Sequence, residues 1–333
     1  MFDFGILQPY VDDKEITDID SNSKTVYVTH QYKGTYKVAN LPDGYLSALL
    51  KRLCNAKEIN EQFNYENPIL DGEIDGLRIH AEHSSFVTSG DTLNIRKNPL
   101  ELVITEEQTD FAPQEVFDFL RAAARAKMSV IFGGEVGSGK TQAMKTFLTY
   151  TDPTESIVFI SDIDEMRMTE LYPERNYRQC IVNDIVDYTK ATASILRDNP
   201  AYVCFQEVRD SAVDALFLAL SGSSRVTSSL HVKNALLMPQ RLIQLSDNKN
   251  DKRLLSTIHD YVQICVVPYK EIKNGLTRRF IGEIAFFWNE ENEPRKQLIY
   301  ECYGNKPHLY ALPKYFQGYF DKNGVKLKWS EEK

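Results

Sequence analysis

The residues best suited to chemistry lie in one run, Gly134-Glu135-Val136-Gly137-Ser138-Gly139-Lys140-Thr141. The run satisfies G-x-x-x-x-G-K-[ST], a loop whose glycines let successive N–H groups turn toward phosphate oxygens. Lys140 brings a positive charge to the β- and γ-phosphates, and the Thr141 hydroxyl is a ligand for Mg²⁺. A helix that starts here adds the positive end of its dipole. The ligand selected by this pattern is a nucleoside triphosphate.

Such a loop needs a carboxylate at the end of a neighbouring strand to organise Mg²⁺ or activate water. Glu207 directly follows the apolar run Tyr202-Val203-Cys204-Phe205 and meets that need; the competing reading is a plain surface carboxylate. Asp162, Asp164 and Glu165 follow SIVFIS, either as a second acidic contribution to the site or as a solvated turn. His231 closes TSSLH, and a lone histidine there is either structural or catalytic.

The elements that must position these residues follow from periodicity. MSVIFGG reads as a strand leading into the loop, and KTQAMKTFLTY as the helix leaving it, with Met144, Phe147 and Leu148 inward. SIVFIS, AYVCFQ and RVTSSLH read as strands, and DIVDYTKATASILRD and SAVDALFLALSG as helices. This βαβ rhythm predicts a largely parallel sheet with helices on both faces. YVQICVVPY and TRRFIGEIAFF flank Asn274-Gly275, a dipeptide suited to an antiparallel turn. Arg278-Arg279 beyond that turn read as a strand edge, since two charges are too few for stable attachment to anionic lipid. Ahead of the loop, KTVYVTH, GTYKVAN, LRIHAE and LNIRK read as strands. Leu46, Leu49, Leu50 and Leu53 form a helical stripe introduced by Pro42-Asp43. The division is therefore an N-terminal α+β domain over 1–105 and an α/β domain over 106–333. The acidic segment ELVITEEQTDF serves as the connection. The aromatics between Tyr300 and Trp329 read as packing in preference to a docking surface.

Composition narrows the classes further. The 333 residues are 42% hydrophobic and 26% charged, ordinary for a globular chain long enough for two cores. The net charge of −8 disfavours sequence-independent DNA binding. Cys54, Cys180, Cys204, Cys265 and Cys302 include no C-x-x-C pair, so neither a disulfide framework nor a zinc site is expected. No apolar run is long enough for a membrane span, and MFDFGILQPYVDDKE lacks the features of a signal peptide.

Taken together, GGEVGSGKT, FISDIDEM, ILRDNPAYVCFQEVRD and VTSSLHVKNALLMPQRL resemble the Walker A, Asp, Walker B and His boxes of the secretion traffic ATPases, in family order. EITDIDSNSKTVYV, LDGEIDGLRIHAEH and LNIRK resemble the N-terminal domain of that family, which is PAS-like. The resemblance implies a RecA-like P-loop ATPase domain behind a smaller α+β domain, a homohexameric ring, and ATP with Mg²⁺ as cofactors. It implies Glu207 as catalytic carboxylate and metal ligand with Thr141, Asp162 and Glu165 as Asp-box acids, and His231 as the residue sensing the nucleotide state. Residues 134–141 and Gln142 would line the nucleotide.

Arg78 and Arg96 match family arginines that act on the γ-phosphate or form surface ion pairs. Arg209 either acts alike or pairs with Asp162 or Glu165. Ser161, Ala201, Gln142 and above all Gln206 depart from the family pattern; Gln206 stands where a glycine is usual and adds bulk near the nucleotide. The absence of a tetracysteine module and of a long extension makes the layout similar to the type IV secretion, conjugation and tight-adherence pilus branch. The implied function is a motor for secretion, conjugation or pilus assembly, at the cytoplasmic face of the inner membrane and in contact with platform proteins there. A nucleotide-binding scaffold with little turnover and a DNA translocase are the alternatives.

Overall fold

A computed structural model describes residues 2–59, 61–209, 212–222, 224–251, 253–304 and 306–329. It divides into two units, Met1–Pro99 with Glu271–Arg278, and Leu100–Lys270 with Arg279–Lys333.

The first unit contains α1 (Gln8–Asp12), β1 (Ile16–Asn22), β2 (Thr25–His30), β3 (Gly34–Asn40), α2 (Tyr45–Cys54), β4 (Ile69–Ile74), β5 (Leu77–Glu82) and β6 (Thr92–Lys97). The strands form one antiparallel sheet in the order β3-β2-β1-β6-β5-β4. The period-2 alternation of β5 buries Leu77, Ile79 and Ala81 and leaves Arg78, His80 and Glu82 on the other face. The Leu46–Leu53 stripe of α2 joins Ile19, Val28, Ile79 and Ile95 in a single core. The tip of the hairpin formed by residues 264–290 also belongs to this unit, with the Thr277 N–H donating to the Tyr32 carbonyl at 2.5 Å.

The second unit carries, in order, α3 (Gln114–Arg125), β7 (Val130–Gly133), α4 (Lys140–Thr149), β8 (Ile157–Ser161), α5 (Met168–Leu171), β9 (Tyr177–Ile181), α6 (Tyr188–Ile195), β10 (Tyr202–Phe205), α7 (Ala212–Ser221), β11 (Arg225–Leu230), α8 (Met238–Leu245), α9 (Leu254–Tyr261), β12 (Ile264–Lys273), β13 (Leu276–Glu290), β14 (Glu293–Tyr303), β15 (Lys306–Leu309) and α10 (Lys314–Lys322). The sheet order is β15-β14-β13-β12-β7-β11-β10-β8-β9. From β12 to β9 neighbouring strands run parallel, and β13, β14 and β15 extend the sheet antiparallel.

β7, β8 and β10 are almost wholly apolar because both faces are covered, and β11 between β7 and β10 buries Thr227, Ser228 and Ser229 among them. Val130, Phe132, Ile157, Phe159, Tyr202 and Cys204 face the core shared with α3 and α4. Ile131, Val158, Ile160, Val203 and Phe205 face the core shared with α6, α7, α8 and α9. Burial of each such large side chain stabilises the unit by about 1.5–3 kcal/mol. Of the chain-terminal aromatics, Phe316 stacks on Phe286 at 3.7 Å between centroids and Trp329 tilts against Phe119, whereas Tyr303 and Tyr315 are exposed.

Residues 101–111 are not a free connection. Ile104 and Phe111 are buried in the second core, and the Thr146 hydroxyl donates to the Ile104 carbonyl at 2.7 Å. The two units divide between Pro99 and Leu100. DIVDYTKATASILRD is helical only from Tyr188, with Asp187 capping the Lys190 N–H. Among the described residues no helix is long and apolar enough to cross a membrane.

Candidate functional site

The phosphate loop leaves the end of β7 and enters α4 at Lys140. Its first peptide is pinned by the Gly134 N–H donating to the Leu230 carbonyl at 3.1 Å, so β11 delivers His231 to the loop. Gly134 has φ +137, and a Cβ there would meet the Pro268 carbonyl oxygen at 2.8 Å. Gly139, with φ +102, opens α4 without a side-chain cap, which leaves the first N–H groups of the helix available to an anion.

The Lys140 stem is buried, and its ammonium donates to the Glu135 carbonyl at 2.9 Å and approaches His231 Nδ1 at 3.4 Å. Burial pushes the Lys140 ammonium below its ordinary range, and the Glu207 charge partly restores it. His231 Nε2 lies 2.8 Å from Glu207 Oε1. An ammonium only donates and a carboxylate only accepts, so the neutral ring with its proton on Nε2 satisfies both contacts at once. Lys140, His231 and Glu207 thus form one chain of contacts. Glu207 is held there because Gln206 and Val208 on either side bond to the Ile160 and Ser229 carbonyls.

The Asp-box residues attach to this centre through the strand ends. Arg209 donates to Asp162 at 2.5 Å, an exposed pair that adds only about 0–1 kcal/mol. The Glu165 N–H donates to the Gln206 side-chain oxygen at 3.0 Å, and Ser229 Oγ donates to the Gln206 carbonyl. The bulk of Gln206 is therefore used in bridging the Asp-box backbone. Ser161 is buried and accepts from Gln179. Arg78 and Arg96 lie directly opposite each other on β5 and β6 of the first unit, and Arg96 donates to Asp18 at 2.8 Å. Asp210, the last residue of ILRDNPAYVCFQEVRD, lies outside the described residues.

Two buried polar atoms at the loop, Ser138 Oγ and Gln142 Oε1, have no hydrogen-bond partner. They fit a site that takes a polar ligand, since unpaired buried polar atoms are costly. Val136 is exposed at the crown of the loop, and Thr141 is partly exposed at the start of α4. Among the described residues no cluster of three or more His, Cys, Asp or Glu could hold a metal, so a cation here would share its ligands with phosphate.

Sequence reasoning missed Lys145, which a mid-helix lysine pattern assigns to the surface. It is fully buried in α4, its Nζ has no hydrogen-bond partner, and burial pushes it from 10.5 to about 8 despite the opposing Asp164 charge. Below pH 8 the lysine is charged in both states, and folding carries the full desolvation cost. Between 8 and 10.5 the unfolded chain holds the extra proton, so this contribution to stability rises with pH. Urea titrations are expected to show wild type gaining on Lys145→Met by on the order of 1–3 kcal/mol across that window. A constant difference would contradict a desolvated ammonium.

A parallel sheet with a phosphate loop on one strand, and a carboxylate and a histidine past the ends of the neighbouring two, defines a P-loop nucleotide-binding fold of RecA-like architecture behind a smaller α+β unit. Residues 74–269 match the family model described as type II/IV secretion system protein, and the chain belongs to that family. It is 24% identical over 330 residues to the type IV secretion system protein VirB11 of Brucella suis, covering 87% of this chain and 90% of that protein. It is 28% identical over 178 residues to the type IV secretion system protein PtlH of Bordetella pertussis, covering 49% of this chain and 52% of PtlH. An uncharacterised Bacillus anthracis protein is 27% identical over 247 residues, 73% of this chain and 56% of that protein. The matches to the last two span only about half of each relative's length. In fold, the chain is similar to the Legionella pneumophila ATPase DotB, with a TM-score of 0.62, 16% identity, and coverage of 83% and 78%. It is also similar to the pilus retraction motor PilT with bound ADP, with a TM-score of 0.60, 17% identity, and coverage of 83% and 81%.

Proposed function

We propose that the protein is an ATP-hydrolysing homohexameric motor that powers type IV secretion, conjugative transfer or pilus assembly by nucleotide-driven domain motion. The observation that carries this reading is the contact chain from Lys140 through His231 to Glu207 at the phosphate loop. In the proposed mechanism the ammonium of Lys140 exchanges the Glu135 carbonyl for a phosphate oxygen, and the N–H groups at the start of α4 take further oxygens. Thr141 and Glu207 would hold Mg²⁺, which supplies neutralising charge to the β- and γ-phosphates. Glu207 orients the attacking water and accepts its proton as the water oxygen bonds to the γ-phosphorus and ADP leaves. His231, hydrogen-bonded to Glu207, couples the protonation and position of that carboxylate to the loop.

Asp162 and Glu165 shape the acidic side of the site, and Arg78, Arg96 and Arg209 neutralise phosphate charge within or between subunits. The working location is the cytoplasmic face of the inner membrane, against platform proteins. The acidic net charge of −8 supports a motor that does not grip nucleic acid itself. Light-scattering mass with and without a non-hydrolysable ATP analogue tests the ring. A hexamer mass with the analogue is expected, and a monomer under both conditions would refute it.

A further inference from the structure

The Asn274-Gly275 turn has positive φ at both residues, +53 and +75, as a two-residue hairpin turn requires. Lys270 of β12 and Arg279 of β13 lie on the two strands that leave this turn, which are neighbours in the sheet. Both cations reach Gly137 of the phosphate loop. Arg279 Nε donates to the Gly137 carbonyl at 2.7 Å. The Lys270 ammonium lies 3.7 Å from the position a Cβ on Gly137 would occupy.

The grip on the carbonyl has a geometric consequence. In a trans peptide C=O and N–H point to opposite sides, so a Gly137 carbonyl turned out toward Arg279 turns the Ser138 N–H inward. That N–H donates to the Glu135 carbonyl, the acceptor Lys140 also uses. The guanidinium is anchored from behind as well. Its Cδ packs beside Gly139 together with Phe111 and Ile104, and Ile281, two residues along β13, donates its N–H to the Phe111 carbonyl at 2.7 Å.

We propose that Lys270 and Arg279 form a second cationic clamp on the phosphate loop. Arg279 is a positioning residue that presets the loop by holding the Gly137 carbonyl outward, and Lys270 offers its charge to the polyphosphate of a nucleoside triphosphate. The inference rests on the nucleotide-binding reading above.

The test measures affinity for a fluorescent ATP analogue, together with KM and kcat, for wild type, Arg279→Ala, Arg279→Lys, Lys270→Gln and, as reference, Lys140→Ala. Loss of a charge-assisted contact predicts about a tenfold rise in KM for Arg279→Ala with kcat within about threefold. Arg279→Lys keeps the charge without the Nε–H and recovers only part of the affinity. Lys270→Gln weakens ATP binding about threefold, by the smaller weight of an exposed charge. Should Arg279→Ala fail to fold, as its melting curve would show, Arg279→Lys and Lys270→Gln carry the comparison. Wild-type affinity in the hairpin variants with binding lost in Lys140→Ala would overturn the clamp and leave the nucleotide reading intact. Unchanged binding in Lys140→Ala would remove the nucleotide reading itself.

Discussion

Lys140→Ala is expected to lower ATP affinity by roughly 30-fold to several-thousand-fold. The ammonium is held at the loop by a buried stem and by the Glu135 carbonyl, so it is preorganised for a phosphate oxygen. Truncating one partner of a desolvated, hydrogen-bonded charge pair costs about 2–5 kcal/mol, which corresponds to roughly 30- to several-thousand-fold in affinity. Calorimetric titration with ATP reads the effect directly. The melting temperature should stay near that of wild type, since the alanine removes a charge whose burial is itself unfavourable. Binding of wild-type strength in the variant would show that the loop is not the nucleotide site.

Glu207→Gln is expected to separate binding from turnover. The amide is nearly isosteric and its oxygen can still accept from His231 Nε2–H, so the contact chain survives. What disappears is the negative charge and the capacity to accept a proton. Loss of a general base costs about 10²–10⁴-fold in rate. ATP affinity should remain within about threefold of wild type, and steady-state kcat should fall by at least a hundredfold. A variant with full turnover would assign Glu207 to the surface role that its sequence position alone also allows.

The phosphate loop was legible because its chemistry is local: one run of glycines, a lysine and a threonine between an apolar strand and a helix. β7, β8 and β10 were legible for the same reason, since coverage on both faces leaves them almost wholly apolar. Two outer strands of the second sheet, the edge strand β9 and the penultimate β14, were not. β9 is half exposed and carries Arg178 and Gln179, and β14 begins with Glu293, Arg295 and Lys296, so neither shows a continuous apolar run. Residues 101–111 read as a linker because acidic residues dominate them, yet Ile104 and Phe111 are enough to bury the segment beside the loop.

The meeting of Glu207 and His231 depends on β10 and β11 being parallel neighbours, which motif spacing cannot reveal. Arg279 was read as a strand edge because its target, the Gly137 carbonyl, lies 142 residues away in the chain. Gln206 has a contact that its sequence position did not announce. Its side-chain oxygen accepts from the Glu165 N–H, a partner 41 residues away in the chain.

The most direct test of an ATP-driven motor is steady-state phosphate release with ATP and Mg²⁺, paired with ATP binding on the same preparations of wild type and Glu207→Gln. The prediction is that both bind ATP and only wild type releases phosphate continuously. Tight binding by wild type with no sustained release would contradict the motor and leave a nucleotide-binding scaffold in its place.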